Sequence, residues 1–298
     1  MTSRLVAGQP VRWALDPVWA ARLVRYERPA RHGAILAGLI FAGLIAAGKL
    51  PFPVDAHAYW AADPAAPYHV AGPQAFDGYF YSPVFVQLLA PFKALPWTWF
   101  AGLWTLLGVA TLAWLSGRYL AVVILLPPVF IEVAMGNIHL LLGAAIVIGM
   151  RYPAAWAFVL FTKVTPAVGL LWFAVRGEWR NLAIALGCTA VIAGVSFALA
   201  PALWSEWFAI LASRSSTDGA NLGPYAIVPL TIRIPIAAAI VIWAARTDRA
   251  WLVPVAGVIA LPVLWPNAFA LAVGAILLLE QRPQAGAGEG LRGTTKAS

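Results

Sequence analysis

Apolar runs of roughly 17–22 residues recur along this chain, close to the ~20 that a helix needs to cross a hydrocarbon layer. The longer ones cover residues 33–50, 97–115, 181–200 and 226–245; shorter ones cover 120–133, 138–149, 250–264 and 267–279. In hydrocarbon every backbone polar group must find its partner inside the protein, which leaves helices or a closed barrel. The runs are continuous and do not alternate with polar residues, so helices are predicted. Composition agrees: 62% of the residues are hydrophobic and 11% charged, against about 25% charged in soluble domains. The predicted fold class is all-α, a polytopic transmembrane helical bundle of about ten membrane segments, some short or broken.

The net charge of +8 does not indicate nucleic acid as a partner. The basic residues sit at the ends of apolar runs, as topology signals do, and form no single patch. Arg4, Arg12, Arg22, Arg25, Arg28 and Arg31 place the N-terminus in the cytoplasm. Residues 1–32 are read as a cytoplasmic, basic, interfacial segment, with a short helix starting at Asp16 and Pro17. The run at 33–50 is read as a retained membrane helix, because Lys49, Leu50 and Pro51 make a poor cleavage site. Residues 33–280 form the membrane domain, and 281–298 a disordered cytoplasmic tail rich in Gly, Ala, Thr and Lys. Cys188, the single cysteine, lies in an apolar run and reads as a small filler residue.

If Arg118, Arg151, Arg176, Arg180, Arg246 and Arg249 also face the cytoplasm, an even number of crossings separates each neighbouring group. The interval 152–175 then holds either one kinked span or two short limbs meeting at Lys163, where Pro166 interrupts the helix. The two-limb reading is preferred, since irregular backbone at depth must be buried in protein or line a wet cavity. The opposite, extracytoplasmic face collects the loops 51–96 (with short helices), 135–137, 201–225 and 265–267, together with the Lys163 break. Asp55, His57, Asp63, Asp77, Asn137, His139, Lys163, Arg214, Asp218, Asn221 and Asn267 all fall there. Polar groups from separate loops on one face point to one site.

Asp55 is the leading candidate, either as a general base taking a proton from an acceptor hydroxyl or as a helix cap. Tyr59 stands four residues on, hence on the same helical face. His57 and His69 are conceivable metal ligands, but no metal-binding cluster spacing appears, and no metal is expected. Trp60 and Tyr81 are candidates for stacking on a ligand. Glu132 and His139 flank Gly136 and Asn137, and ionisable groups in short membrane segments are costly and face cavities; capping of a helix end is the plainer alternative. Lys163 would cost about 2.5–3.5 kcal/mol at mid-span, an expense a phosphate partner or snorkelling would offset. Arg214, Asn221 and Arg233 complete the substrate-binding candidates, the arginine fork being suited to phosphate.

Several of these residues occur in a familiar order. Asp55-x-x-x-Tyr59 follows the first span; Pro67-Tyr68 comes next, then Phe80-Tyr81-Ser82-Pro83, Leu88-Leu89-Ala90-Pro91 and Leu95-Pro96. Gly136-Asn137-Ile138-His139-Leu140-Leu141-Leu142 and Lys163-Val164-Thr165-Pro166 complete the series, with Arg176 and Trp179-Arg180 closing the apolar run. In this the chain resembles the polyprenol-phosphate-mannose-dependent α-1,2-mannosyltransferases, glycosyltransferase family 87 of the C-type superfamily, over residues 33–180 and more loosely beyond. The resemblance implies a C-type fold in the plasma (inner) membrane with both termini cytoplasmic. It implies inverting transfer of a hexose, mannose foremost, from a polyprenyl-phosphate sugar to a lipid-linked or glycan acceptor. Asp55 would then be the base, and Lys163, Arg214 or Arg233 would hold the leaving phosphate, with no cofactor beyond the lipid-linked donor. A transporter or flippase, and a non-catalytic membrane assembly protein, are the rival readings.

Overall fold

The computed structural model describes residues 17–50, 53–69, 76–215 and 227–281, with side chains from residue 25 and, in the third stretch, up to residue 213. Among the described residues there are helices and turns and no strand. Residues 1–16 of the expected N-terminal segment, the tail from 282, Asp218, Asn221 and the Arg214 side chain lie outside them.

α1 (Pro17–Ala46) runs as one helix through Pro29. The interfacial helix and the first span, expected as separate pieces, are therefore continuous. It packs along α4 (Trp97–Ser116). Between these two in chain order come α2 (Val54–Ala61) and α3 (Pro83–Leu89), both short helices of the first loop. α4 continues through a 3-10 turn into α5 (Leu120–Val123). α6 (Pro127–Met135) and α7 (His139–Gly149) meet at an angle of 104°.

α8 (Trp156–Thr162) stops at Lys163, whose backbone is extended (φ −139°, ψ 102°). The chain resumes in a 3-10 turn (Thr165–Leu170) leading into α9 (Leu171–Val175). The interval is thus two limbs broken at Lys163: in a continuing helix Pro166 would have no N–H for the Thr162 carbonyl, and its ring would clash with it. α10 (Trp179–Leu199) leaves most of its apolar surface uncovered, as a lipid-facing helix does.

α11 (Pro201–Ser215) replaces much of the loop expected at 201–225. Its cause is legible afterwards: proline at the first helical position favours initiation. Leu203, Trp204 and Trp207 share one buried face, and the two tryptophans pack on Ala157 and Phe161 of α8. α12 (Leu230–Arg246), α13 (Leu252–Ala260), a 3-10 turn (Pro266–Val273) and α14 (Gly274–Glu280) close the bundle. The central core joins α7, α8, α12 and α13 through Ile138, Ile146, Trp156, Val241, Val253 and Leu271.

Among the described residues, three helical stretches are long and apolar enough to cross a membrane: Arg25–Ala46, Trp97–Val123 and Trp179–Leu199. The bent pair α6 and α7 makes a fourth if counted as one broken span. The remaining expected segments are shorter helices. α4 orients the molecule: its 20 residues span roughly 30 Å at 1.5 Å per residue. Trp97 at one end packs on His57 of the first loop, while Arg118, just past the other end, pairs with Glu280.

Candidate active site

The site grows from the break between α6 and α7. α6 ends on Gly136 in the left-handed conformation (φ +67°), which a side chain would strain. A Cβ here would also lie 2.8 Å from Ala56 Cβ and 2.9 Å from Pro53 Cβ. The missing side chain therefore lets the start of α2 close directly onto the break. Trp104 of α4 fastens the same point, its indole Nε1–H donating to the Gly136 carbonyl at 2.8 Å.

With α2 seated there, Asp55 meets the break. The Asn137 amide donates to Asp55 Oδ2 at 2.8 Å, while Asn137 Oδ1 accepts the Ile138 N–H at 2.7 Å. Asn137 is thereby oriented by the backbone and presents its donor to the carboxylate. Burial raises the Asp55 pKa above the ordinary carboxylate value. The Asn137 hydrogen bond opposes that, Glu132 adds to the rise, and Lys163 lowers it. A half-buried acid of this kind holds a proton more readily than a surface aspartate, as a general base must.

Across the break a second chain of contacts runs inward. Glu132, 1% exposed, accepts the backbone N–H groups of His139 and Leu140 on Oε1. These are orphan donors of the first turn of α7. Its Oε2 receives His139 Nδ1–H at 2.9 Å and the Asn267 amide at 3.0 Å. On the far side of the imidazole, Lys163 Nζ donates to His139 Nε2 at 2.6 Å. Next to Lys163, Ser82 ties the first loop to the end of α8. The Ser82 hydroxyl donates to the Phe161 carbonyl at 2.7 Å, and its backbone N–H donates to the same oxygen at 3.3 Å.

Tyr59 and Tyr81 pack beside this group, their hydroxyls 3.1 Å apart and their rings edge to face at 5.3 Å. Burial raises both phenol pKa values, and the Asp55 and Glu132 charges add to the rise, so both stay neutral donors. A small cleft opens beside Glu132, Gly136 and Asn137, lined also by Trp104 and Thr105. Among the described residues, the buried Thr105 hydroxyl there has no hydrogen-bond partner.

Of the residues singled out from sequence, the structure connects Asp55 with Asn137 and His139 with Lys163, and pairs Tyr59 with Tyr81. His57 is not in the group. It lies on the other face of α2, since residues two apart on a helix point apart, and its Nδ1 pairs with Asp77 at 2.6 Å. Trp60 joins His57 and Trp97 there and donates to the Leu95 carbonyl. Arg233 is also elsewhere: its guanidinium binds the carbonyls of Val228, Ile259, Leu261 and Pro262, closing the end of α13. Two members of the network were not among the chosen site residues, Glu132 and Asn267. A buried glutamate just before a Gly-Asn break was the available signal for the first, and an asparagine in an outer loop for the second.

The arrangement offers an acid–base carboxylate, two phenol donors and a lysine ammonium, at a loop junction on one face of a membrane bundle. A family model described as Glycosyltransferase family 87 matches residues 79–286. The matched stretch contains Tyr81, Glu132, Asn137, His139, Lys163 and Asn267, and begins after Asp55, His57 and Tyr59. No curated protein and no solved structure shows a match.

Proposed function

Because this chain belongs to glycosyltransferase family 87, and is so a membrane glycosyltransferase, we propose that Asp55 is its general base and that its donor is a polyprenyl-phosphate hexose, mannose foremost. The observation that carries this reading is the junction of Asp55 with Asn137 beside the Lys163–His139–Glu132 chain. Three stretches far apart in sequence supply it.

In the proposed reaction an acceptor hydroxyl loses its proton to Asp55 Oδ1 or Oδ2 as its oxygen attacks the anomeric carbon. The bond from that carbon to the phosphate oxygen breaks on the opposite face, inverting the configuration. The polyprenyl phosphate departs with one more negative charge than the donor carried. Lys163 is placed to take up that charge by a charge-assisted hydrogen bond. The acceptor is a lipid-linked or other glycan, and no cofactor enters the balance.

A lipid donor suits the architecture: its prenyl chain stays among lipid-facing helices such as α10 while the head group reaches the break. We place the site on the extracytoplasmic face of the plasma membrane, the arginine-bearing end on the cytoplasmic side, and the bundle in the C-type fold with about ten segments, several crossing only partway. Family membership favours the enzyme over the transporter and the assembly protein.

The test uses full-length protein in nanodiscs with radiolabelled polyprenyl-phosphate mannose and a lipid-linked mannoside acceptor. Asp55→Asn is expected to lower kcat by roughly a hundredfold to ten-thousandfold, as loss of a general base does, with the melting temperature retained. Turnover by Asp55→Asn at the wild-type rate would remove Asp55 from the role.

A further inference from the structure

We propose that Glu132 is a positioning residue: acting through His139, it fixes the direction in which Lys163 presents its ammonium group to the leaving phosphate. The identity of that anion rests on the transferase reading above; the rest stands on geometry.

Glu132 is enclosed, and four donors reach it. Two are backbone N–H groups on Oε1, from His139 and Leu140; on Oε2 are the imidazole Nδ1–H and the Asn267 amide. A carboxylate has about four acceptor sites, so these donors fill it. Glu132 has no lone pair left for an acceptor hydroxyl, which separates its role from that of Asp55. Capping α7 engages Oε1 alone, and the contact of Oε2 with the imidazole is additional to it.

That contact decides the imidazole's tautomer. When Nδ1 donates to a carboxylate, the neutral ring keeps its lone pair on Nε2. Lys163 Nζ lies 2.6 Å from Nε2 and has only N–H bonds to offer, so it must donate. A carboxylate–histidine pair of this kind orients metal ligands elsewhere; here the group oriented is an ammonium. One of its three N–H bonds is fixed on the ring, and His139 remains a neutral spacer between Glu132 and Lys163. The ammonium is therefore held in place without a carboxylate in direct contact, and its charge remains available to an anion.

Glu132→Gln keeps the shape and reverses this logic. An amide NH2 turned toward His139 needs an unprotonated Nδ1, which moves the ring proton to Nε2, where it opposes the N–H of Lys163. Nitrogen-15 spectra of full-length protein in nanodiscs, labelled at histidine and assigned through His139→Gln, read the tautomer directly. The expected result is a neutral Nδ1–H ring at His139 in the wild type and a reversed or mixed ring in Glu132→Gln. A second arm measures kcat with polyprenyl-phosphate mannose in a cycle with Lys163→Met. Glu132→Gln alone is expected to lower kcat roughly tenfold to a hundredfold, and by less than about threefold more once Lys163 is gone. A wild-type His139 protonated at Nε2, an unchanged spectrum in Glu132→Gln, or losses that multiply in the double variant would overturn the proposal. If the wild-type protein turns over no donor, the transferase reading fails and the spectra alone decide this one.

Discussion

Lys163 and Arg233 are both cations in apolar surroundings, each close to a proline and each proposed from sequence as a phosphate holder. Their neighbours are opposite in kind. Arg233, 5% exposed, donates to four backbone carbonyls, the shortest contact being Nη1 to Leu261 O at 2.6 Å. Carbonyls at a helix end carry partial negative charge and otherwise lack partners, so the guanidinium there works as a strut. Lys163 instead contacts a neutral imidazole nitrogen, which accepts one hydrogen bond, while the Asp55 and Glu132 carboxylates act on its charge only through space. A buried cation surrounded by carbonyls serves the fold, whereas one held by a neutral acceptor is equipped to receive an anion.

The comparison breaks most directly if the two residues are exchanged for an uncharged chain of similar length. Lys163→Met is expected to lower kcat on the order of a hundredfold to a thousandfold, as removal of a preorganised charge stabiliser does. Its thermal stability in nanodiscs should remain near wild type. Arg233→Met should do the reverse, costing about 1–3 kcal/mol or more of stability because buried carbonyls lose their donor, while the folded fraction turns over normally. Equal loss of activity in both variants at unchanged stability would erase the distinction.

How much of this was readable from the chain follows the same division. The all-helical membrane class was fixed by the continuous apolar runs, and the break at Lys163 by Pro166. The gathering of Asp55, Asn137, His139 and Lys163 was anticipated, because the reading of arginines at helix ends as cytoplasmic assigned their loops to one face. Contacts were another matter. Periodicity placed Asp55 and Tyr59 on one side of α2, and the same periodicity turns His57 away, toward Asp77. Little that is local tells whether a cation meets carbonyls or an imidazole, since those partners, Val228 apart, arrive from elements 24 to 29 residues away in the chain. α11 was missed because Arg214, Asp218 and Asn221 coloured the whole stretch as loop, although Trp204 and Trp207 share a buried face ahead of them.

A smaller effect probes how the break receives α2. Gly136→Ala forces a side chain into a left-handed residue, costing roughly 1–2 kcal/mol. The new methyl meets Ala56 and Pro53 at under 3 Å. α2 must then withdraw and carry Asp55 away from Asn137. Misplacement of a catalytic group is costly, and a kcat loss on the order of tenfold is expected, against almost none for Gly33→Ala, where a Cβ meets nothing within 4 Å. Equal rates for the two variants would mean that the close seat of α2 has no bearing on catalysis.

The smallest effect is a displacement of the pH profile. In its proposed role as base, Asp55 must be ionised, so activity should fall as pH drops through its pKa. Burial has raised that pKa above the ordinary carboxylate value, and the acidic limb of kcat should lie correspondingly high. The Asn137 amide favours the ionised form and holds the value below what burial alone would give. In Asn137→Ala that restraint is gone, so the limb should move further toward alkaline pH, with part of the lost activity returning there. Lys163→Met should move it in the same direction by removing a favourable charge, whereas Arg233→Met should leave it in place. A limb that shifts toward acid in Asn137→Ala, or shifts equally in Arg233→Met, would show that the titrating group is not the carboxylate held at this break.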